Sequence, residues 1–592
     1  MMPSLHTISQ LCLLLAPVAS GLAVENKPTC RCRPHEKCWP SPDKWNTLNN
    51  TIEGNLQAVR PVEAPCFPPN VGSALCAEIG KNFNNSLWRS AQPGAVQWTN
   101  WEAWPLKNQS CYADQPKNIP CEQGRVSLYS ALVEKPEHIQ AAVRFVAENN
   151  IRLAIKNSGH CFLGRSTAPE SLQISTHKLK SISFTDNFFP EGATNCDGKG
   201  AGAGSAVTIG AGVQLKQLYM EAAKNNVSVV AGVSHTVGAA GGYVQGGGHS
   251  PLGNWKGMAS DNALEFKGQL VTANKYKNKD LFWALRGGGG GTFGVVVSVT
   301  LQTFPDVPFG YLQFGMIVSP SNSSAYWDMM QAFHFHLPAV SAAGGAGYYF
   351  FSGKPADMNG TQLLSMSGMF FFINQTNQNV IETKIEPLKT DMFKYALPES
   401  TFNVSIVPRI SGTIAAGLQG DSDGGGGINI VGSRMISRDF LLSKDGPARL
   451  VKALQDIGKV QPGVGYTAHV VAGGAAAKTD IDSAINPAWR KCLTHIAFAD
   501  DWNSTTSPEK IKIIQDKMTN ESVEILRVLE PDMGAYLNEA DANEKNFQKS
   551  FWGSNYEKLY KVKQELDADN LFIARKGVGS EDWDDAGLCR IR

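Results

Sequence analysis

The sequence predicts an α+β protein built from more than one folding unit, and three observations support that fold class. The chain has 592 residues, more than one hydrophobic core usually serves. Residues 123–305 alternate short apolar strands with amphipathic helices. Residues 306–530 combine aromatic strands with amphipathic helices, which is typical of an antiparallel sheet backed by helices.

The segment 123–305 reads as alternating strands and helices. The run SLYSALVEKPEHIQAAVRFVAENN places a strand before a helix, because Ile139, Val143 and Val146 recur at helical spacing. IRLAIKN and SLQISTH predict two further strands, and AVTIGAGVQLKQLYMEAAKNN predicts a strand, a turn and a helix. VSVVAG, EFKGQLVTAN and DLFWALRGGGGGTFGVVVSVTLQTFP continue the alternation, with turns made of glycine.

The segment 306–530 contains the aromatic strands GYLQFGMIVS, GYYFFSG and SGMFFFIN. KDGPARLVKALQDIGK and SPEKIKIIQDKM predict the helices that back them. The aromatic residues between 345 and 373 could line a pocket or pack a core, and packing is the favoured interpretation. The final segment, 531–592, predicts one helix with loops around it.

The composition indicates a globular chain whose net charge is too small to create a strong electrostatic field. Hydrophobic residues make up 42% and charged residues 18%, which excludes disorder. Fifty-four Lys and Arg against 53 Asp and Glu give a net charge of +1, so no charge excess favours nucleic acid or an anionic membrane. The chain also lacks the run of about 18 apolar residues that predicts a membrane span.

The N-terminus predicts export from the cell. Residues 1–23 contain LCLLLAPVASGLA, a short apolar run that ends in small residues. Such a run is typical of a secretory signal peptide. The region before it lacks Lys and Arg, which is a departure from the usual pattern. A buried N-terminal helix is the alternative. Ten N-x-S/T sequons support a secreted glycoprotein: Asn49, Asn84, Asn108, Asn226, Asn322, Asn359, Asn374, Asn403, Asn503 and Asn520.

The cysteines agree with an oxidising compartment. Seven of them crowd residues 24–122, which otherwise show little periodicity, and predict an irregular lead-in held by disulfides. Loop size suggests the pairs Cys66–Cys76 and Cys111–Cys121. Half of a zinc site at residues 30–38 is the weaker alternative, because no matching Cys or His pair follows it. Without the leader eleven cysteines remain, so at least one thiol is expected to be free or paired between chains, and Cys161 is the candidate.

Glycine is concentrated in three loops that could hold a large anionic group. These loops are KNSGHCFLGRS, AGVSHTVGAAGGYVQGGGHSPLG and LRGGGGGTFGVV, within 156–296. No P-loop occurs, and the G-x-G fragments do not sit in the strand–helix unit of a Rossmann site. Each loop alone could be an ordinary tight turn. Three together predict a cofactor whose phosphates contact main-chain N–H groups.

These motifs carry a family resemblance. SGH-x-x-x-GRS, the TVG…GG-x-x-x-GGGHSPLG stretch and DLFWALRGGGGGTFGVV resemble the FAD-binding domain of the vanillyl-alcohol-oxidase (PCMH) type. FWGSNYEKLYKVKQELDADNLF resembles the C-terminal segment of berberine-bridge-enzyme-like oxidases, and the ending is similar to a fungal subgroup that includes isoamyl alcohol oxidases. The resemblance implies a two-part FAD-binding domain, residues 123–305 and 531–592, that encloses a substrate domain, residues 306–530.

The resemblance makes His160 the most consequential residue. In the family, the histidine of this loop is bonded to the 8α-methyl group of the flavin, and neutral imidazole is a suitable nucleophile for that bond. A hydrogen-bonded loop histidine is the alternative. Many relatives add a second bond from a cysteine in G-x-C-P-T-V-G, but Ser234 stands at that position here. We therefore expect FAD with a single covalent link through His160 and no second, cysteinyl link.

Residues near the C-terminus are candidates for proton transfer. Sugar-oxidising relatives carry a Y-x-N-Y motif whose second tyrosine is the base, and this chain reads Tyr536–Leu537–Asn538–Glu539. Glu539 is therefore the expected base, with its pKa raised by an apolar pocket, and Tyr536 the orienting group. A solvated or capping glutamate is the alternative.

The remaining expected flavin contacts follow from the same motifs, and no metal ligand is expected. His235 and His249 are further pocket candidates, each of which could equally be structural. The expected contacts are Lys156, Asn157, Ser158, Gly159, Gly164, Arg165, Ser234, Val237, Gly238, Gly242, Gly246, Gly247, Gly248, Asp261, Asn262 and Asn570.

The resemblance predicts a secreted oxidase. Val237, a small residue before the glycine of the T-V-G run, is where such proteins admit dioxygen to the flavin. We expect a small alcohol-like substrate, O2 as electron acceptor and H2O2 as product. Oxidative cyclisation or desaturation of a secondary metabolite is the alternative reaction, and a non-catalytic flavin- or carbohydrate-binding glycoprotein is the alternative class.

Overall fold

Three β-sheets organise the computed structural model, which describes residues 29–193, 202–268, 270–417 and 423–591. The predicted signal peptide and Cys196 lie outside the described residues. Among the helices described, none is both long and apolar enough to cross a membrane.

The first sheet has four strands in the order β1-β2-β4-β3. β2, β4 and β3 run parallel, and β1 joins them antiparallel from the lead-in segment. The predicted lead-in is therefore built into this sheet. Trp45 and Ile139 lie in the core between the sheet and helices α1 and α4. The strands are β1 (Leu56–Ala58), β2 (Tyr129–Leu132), β3 (Arg152–Lys156) and β4 (Ser171–Ser175), with helices α1 (Pro42–Thr51), α2 (Ala74–Asn82), α3 (Ser86–Ala91) and α4 (Pro136–Glu148).

The second sheet is antiparallel, with the order β5-β6-β10-β8-β9 and β7 paired to the end of β10. Its glycine-rich connections bring backbone close to the centre of the molecule. The strands are β5 (Ile182–Thr185), β6 (Ala206–Gly210), β7 (Val227–Val229), β8 (Ala263–Lys267), β9 (Thr272–Asn274) and β10 (Ser298–Pro305), with helices α5 (Leu215–Lys224), α6 (Gly253–Lys256) and α7 (Lys279–Leu285).

The third sheet confirms the predicted antiparallel sheet backed by helices. Its strand order is β15-β11-β14-β12-β17-β18-β16, and β13 pairs with β14. The strands are β11 (Phe309–Val318), β12 (Gly345–Ser352), β13 (Ala356–Met358), β14 (Thr361–Ile373), β15 (Thr401–Val407), β16 (Ile430–Ser437), β17 (Gly465–Val470) and β18 (Cys492–Asp500).

Helices α8, α9 and α12 cover one face of this sheet, where Phe333, Leu388 and Leu454 meet the strand residues in a continuous apolar core. The helices of this region are α8 (Ser323–Ala342), α9 (Gln378–Phe393), α10 (Ile410–Gly417), α11 (Arg438–Leu442), α12 (Gly446–Val460), α13 (Pro508–Lys517) and α14 (Val523–Arg527).

The C-terminal segment forms two helices, α15 (Phe547–Trp552) and α16 (Tyr556–Leu566), where the sequence predicted one. Gly553 separates them with a φ of 54°, a positive value that glycine adopts without the steric cost of a side chain. Trp552 and Leu559 then pack into the core of the second sheet, and the indole of Trp552 donates to the carbonyl of Gly287 at 3.0 Å.

Four disulfides staple the described residues. Cys66–Cys76 and Cys111–Cys121 are confirmed as predicted, and Cys32–Cys38 forms a third local pair. The fourth pair, Cys30–Cys589, joins the beginning of the described chain to its end. Cys161 is a free thiol, as predicted, and so is buried Cys492.

Candidate active site

A cavity of about 500 Å³ lies where the three sheets meet. The glycine-rich loops after β3, after β7 and before β10 form one part of its wall, and β12, β14 and β17 of the third sheet form another. Tyr536, Asn538 and Glu539 close it from the C-terminal segment. Parts of the three glycine-rich loops and the segment 536–539 therefore converge on one cavity.

Glycines make part of this wall a narrow cradle. A Cβ at Gly238 would clash with the side chain of Asn157, and one at Gly290 would lie 2.8 Å from the Cα of Gly242. At Gly291 and Gly294 a Cβ would enter open space, and both residues have positive φ. The cradle is thus shaped for a large group that approaches the backbone directly.

Arg165 supplies a positive charge at the floor of the cavity. Its Nη2 donates to Asn538 Oδ1 at 2.8 Å, and its Nε lies 2.9 Å from Cys161 Sγ. Its Nη1 is buried and has no hydrogen-bond partner among the described residues. A guanidinium nitrogen left in this state is free to donate to a polar atom of a bound ligand.

His160 lies on the cavity wall, with its side chain 18% exposed. Its Nε2 lies 2.6 Å from Thr236 Oγ1. Burial lowers the pKa of His160 to about 4, although the charge of Asp423 opposes that effect. The imidazole is therefore neutral near pH 7, which is the nucleophilic form.

Asp423 holds the loop that contains Ser234 and Thr236. Its carboxylate accepts from the hydroxyl of Ser234, from the backbone N–H of His235 at 2.7 Å and from Thr236 Oγ1 at 3.1 Å. Burial acts to raise the pKa of Asp423, but these hydrogen bonds and His160 outweigh burial and lower it. An ionised carboxylate thus lies 3.8 Å from Nε2 of His160.

Glu539 lies in the same cavity, among three histidines. His249 Nε2 is 3.0 Å from its Oε1, and His469 Nδ1 is 3.5 Å from its Oε2. His495 Nδ1 is 3.7 Å from Oε2 and 3.0 Å from His469 Nδ1. The carboxylate is therefore held on both of its oxygens, and it is not a solvated or capping group.

The expected rise in the pKa of Glu539 is wrong. Burial is the largest single influence and acts in that direction, but the neighbouring histidines, His249 first and then His469, together outweigh it and lower the pKa to about 2. His469 and His495 are neutral, because burial lowers the pKa of His469 well below its ordinary value and that of His495 to about 3. Glu539 is thus an ionised carboxylate at neutral pH.

Sheet register produces this cluster. Tyr348 on β12 pairs with His469 on β17, which in turn pairs with His495 on β18. Directly paired residues of antiparallel strands point to the same face, so the three side chains form one row. The hydroxyl of Tyr348 is buried and has no hydrogen-bond partner among the described residues, so it is available to a ligand.

One buried set of donor groups could hold a metal ion. The ligand atoms of His249, His469 and Glu539 lie within 4.8 Å of one another. The sequence predicted no metal ligand. The distances of 3.0 Å between His249 and Glu539 and between His469 and His495 are also within hydrogen-bonding range. A second group, around Cys32 and Cys38, consists of a disulfide.

The structure brings many of the predicted site residues to the cavity. Tyr536 also lines it, and its hydroxyl accepts from Asn538 Nδ2 at 2.7 Å. His249 lines the cavity directly, whereas His235 contacts Asp423 through Nδ1 at 2.6 Å. The predicted residues that line the cavity are Asn157, Ser158, Gly159, His160, Arg165, Ser234, Val237, Gly238, Gly242, Tyr536 and Glu539.

The other predicted contacts lie behind the cavity wall. The amine of Lys156 donates to the carbonyls of Ser90 and Gln92, and Asp261 pairs with Arg490 at 2.7 Å. The residues in this group are Lys156, Gly164, Gly246, Gly247, Gly248, Asp261, Asn262 and Asn570.

Several of these residues have structural roles that their local contacts explain. Asn262 Nδ2 donates to the carbonyl of Met258 at 2.8 Å, and the carbonyl of Asn570 accepts from Arg31 at 2.6 Å. Gly164 and Gly246 allow Trp101 and Asn538 to approach the backbone. Gly247 and Gly248 have positive φ, of 115° and 70°.

Sequence reasoning missed Tyr348, His469, His495 and Asp423. A signal existed for the histidines, since each is a polar residue inside an apolar strand, in GYTAHV and in CLTHIAFAD. Such a residue is expected to have a partner when it is buried. Asp423 carries no such signal, because it lies in a glycine-rich loop far along the chain from His160.

Comparison with known proteins agrees with this geometry. A family model described as "FAD binding domain" matches residues 128–274, and one described as "Berberine and berberine like" matches residues 535–579. The fold and the cavity thus define a flavin-binding oxidoreductase. The cradle and the free Nη1 of Arg165 fit FAD, because they offer backbone contact and a cationic donor to a large anionic cofactor.

Full-length relatives place the chain in a family. It is 48% identical to an uncharacterized FAD-linked oxidoreductase of Arthroderma benhamiae, over 99% of this chain and 100% of the relative. It is 38% identical to the FAD-linked oxidoreductase malF of Malbranchea aurantiaca, over 97% and 96%, and 36% identical to the flavin-dependent oxygenase ucdF of Aspergillus ustus, over 93% and 99%. The chain belongs to the FAD-linked oxidoreductase family.

Solved structures share the whole architecture. The VAO-type flavoprotein MtVAO615 of Myceliophthora thermophila C1 superposes with a TM-score of 0.84 at 29% identity, covering 95% of this chain and 100% of that protein. MtVAO713 from the same organism gives a TM-score of 0.86 at 28% identity, with the same coverage. The fold is therefore that of VAO-type flavoproteins, as the sequence predicted.

Proposed function

We propose that this protein is a secreted FAD-dependent oxidase that oxidises an alcohol-like carbon of a small molecule and produces H2O2. Bound FAD would supply a two-electron acceptor for the substrate hydride and a group that dioxygen can reoxidise. The predicted signal peptide and the four disulfides support secretion. The chain's own residues would bind the cofactor, orient the substrate and receive its proton.

One observation carries the proposal: a partly buried, ionised carboxylate shares a cavity with the glycine-lined cradle. Glu539 is the proposed acceptor of the hydroxyl proton, because it is ionised at neutral pH. Its low pKa makes it a weaker base than a carboxylate whose pKa lies near 7. His249 and His469 fix the positions of its oxygens. The free hydroxyl of Tyr348 would bind the substrate oxygen, and Tyr536 would hold Asn538 against the cradle.

The substrate is proposed to have an apolar body beside its hydroxyl group. Phe350 and Met369 line the cavity next to Tyr348, on strands β12 and β14. These apolar side chains would exclude water from the reacting carbon. Val237, also on the cavity wall, would leave dioxygen room to approach.

The cofactor is proposed to be attached once, through His160. The neutral imidazole supports the attachment, and Ser234 supports a single bond because a serine hydroxyl is a weak nucleophile compared with a thiolate. Protein precipitated with trichloroacetic acid should remain yellow. His160→Ala should release its colour to the supernatant, and colour released by acid from the wild type would contradict a covalent link.

Anaerobic stopped-flow tests the function directly. A panel of alcohols, sugars and phenols is mixed with the holoenzyme, and flavin bleaching near 450 nm is followed by peroxide release when oxygen is admitted. The expected result is bleaching by at least one alcohol and rapid reoxidation. Product mass should show the loss of two hydrogens without ring formation. Bleaching that air does not reverse would contradict an oxidase.

Replacing Glu539 should abolish proton transfer while the flavin stays bound. Glu539→Gln keeps the shape of the side chain but cannot accept the proton, so flavin reduction should slow by about 100-fold or more. Glu530→Gln is the matched control, because Glu530 accepts from Ser437 in the same region and does not line the cavity. An unchanged rate of reduction in Glu539→Gln would remove Glu539 from the mechanism.

A further inference from the structure

Asp423 and Thr236 connect His160 to a carboxylate from a distant part of the chain. Asp423 follows helix α10 and lies on the cavity wall with His160 and Ser234. Thr236 Oγ1 lies between the two, 2.6 Å from His160 Nε2 and 3.1 Å from Asp423 Oδ2. The backbone N–H of Asp423 donates to Ser86 Oγ at 3.0 Å, which fixes the carboxylate in place.

The direction of these hydrogen bonds follows from the groups involved. Thr236 has one hydroxyl proton, and two acceptors lie within reach of it: Ser86 Oγ at 3.0 Å and Asp423 Oδ2 at 3.1 Å. The ionised carboxylate of Asp423 is the stronger acceptor of the two. Thr236 Oγ1 is then left to accept from Nε2–H of His160 at 2.6 Å. The proton of His160 consequently resides on Nε2, and Nδ1 carries the lone pair.

We propose that Asp423, acting through Thr236, is the base that removes the Nε2 proton of His160 as the imidazole is joined to the flavin. The inference rests on the proposed covalent link. The inference assigns Asp423 and Thr236 to cofactor attachment, a reaction separate from substrate oxidation.

The step balances with dioxygen as the oxidant. A C–H bond of the 8α-methyl group and the N–H bond of His160 break, and a C–N bond forms. The methyl group and the imidazole each lose one proton, the latter through Thr236 to Asp423. The two electrons remain on the flavin ring until dioxygen takes them up with two protons and becomes H2O2.

The position of Asp423 gives the attachment a folding requirement. Asp423 precedes β16 of the third sheet, whereas His160 follows β3 of the first sheet. The carboxylate reaches His160 only when the third sheet is folded against the flavin-binding loops. Attachment should therefore occur after the whole chain has folded, with FAD already in the cavity.

Variants of the two residues test the proposal. Asp423→Asn keeps an oxygen for the N–H of His235 but cannot take the proton, and Thr236→Val removes the hydroxyl at nearly constant shape. Each variant is expressed with ample riboflavin, and purified apoprotein is mixed with FAD in air. The acid-stable flavin fraction is read by in-gel fluorescence and by the mass of the peptide containing His160. Both variants should bind FAD and attach it about 100-fold more slowly or worse.

Controls separate this role from a structural one. Asp391→Asn, which removes a carboxylate 2.7 Å from His336 away from the cavity, should attach flavin at the wild-type rate. Formate should restore attachment to Asp423→Ala, because a small carboxylate can replace the lost base but cannot refold a loop. Wild-type rates in both Asp423→Asn and Thr236→Val would overturn the proposal, and so would a failure of formate rescue in a folded, FAD-binding Asp423→Ala variant.

The same experiments distinguish a failure of the attachment proposal from a failure of the proposed oxidase function. If wild-type protein releases all its flavin in acid yet still bleaches with alcohol and forms peroxide, the attachment proposal fails and the oxidase function stands. If the flavin is attached but no substrate reduces it, the oxidase function fails and the attachment proposal stands.

Discussion

Glu539 owes its charge state to His249, which lies 3.0 Å from one carboxylate oxygen. Burial alone would raise the pKa of Glu539, and the neighbouring histidines, with His249 contributing most, reverse that effect. A glutamate left buried without a partner would hold its proton and could not accept another.

Removing His249 should therefore make the reaction sensitive to acid. In the wild type, Glu539 is ionised well below neutral pH because its pKa is about 2. In His249→Gln the pKa should rise, and below the new pKa the rate of flavin reduction should fall about tenfold for each pH unit. Stopped-flow reduction from pH 4 to pH 8 measures the profile.

His336→Gln is the matched control for that experiment. His336 also pairs with a carboxylate, that of Asp391, but it lies away from the cavity. Its pH profile should match that of the wild type. Identical profiles for His249→Gln and the wild type would show that another group sets the charge of Glu539.

Strand β12 serves both the core and the cavity because its side chains alternate between the two faces of the sheet. Tyr349 and Phe351 point into the apolar core with helix α8. Tyr348 and Phe350 point to the cavity. The two sequence interpretations of these aromatic residues are thus both realised, on opposite faces of one strand.

The neighbouring residues Phe350 and Phe351 should separate binding from stability. Phe351 is 4% exposed, so Phe351→Ala should lower the free energy of unfolding by about 3–5 kcal/mol. Phe350 is 39% exposed, so Phe350→Ala should lower it by about 1 kcal/mol or less and instead raise KM. Urea unfolding and steady-state kinetics of the two variants measure these effects. A large loss of stability in Phe350→Ala together with a raised KM in Phe351→Ala would contradict the proposed orientation of these two side chains on β12.

At the scale of the whole molecule, the two ends of the described chain meet. Cys30 pairs with Cys589, at a sequence separation of 559 residues. The side chain of Arg31 then reaches the carbonyl of Asn570, at 2.6 Å. The C-terminal segment that supplies Glu539 is in this way fastened to the first sheet.

Removing this disulfide should destabilise the fold as a unit. The double variant Cys30→Ala, Cys589→Ala should lose about 2–5 kcal/mol of unfolding free energy, because the unfolded chain regains a very long open loop. The double variant Cys66→Ala, Cys76→Ala opens a loop of 10 residues and should lose less. Denaturant unfolding followed by tryptophan fluorescence compares them, and equal losses would argue against the loop-length explanation.

Local patterns in the sequence were sufficient for most elements of the fold. Period-2 and period-3.6 hydrophobicity predicted strands such as β6 and β14 and helices such as α4 and α12, because these patterns need only neighbouring residues. The C-terminal pair α15 and α16 was predicted as one helix, because the positive φ of Gly553 is not visible in hydrophobic spacing.

The amino-acid sequence by itself determined the glycine-rich loops of the cradle, the histidine at its edge and the serine at position 234. Only the tertiary structure decided which groups surround Glu539 and His160. Tyr348, His469 and His495 meet through the register of three strands, and Asp423 reaches Thr236 across the molecule. Strand register and long-range contacts depend on how whole sheets pack. The spacing of residues within one segment does not specify that packing.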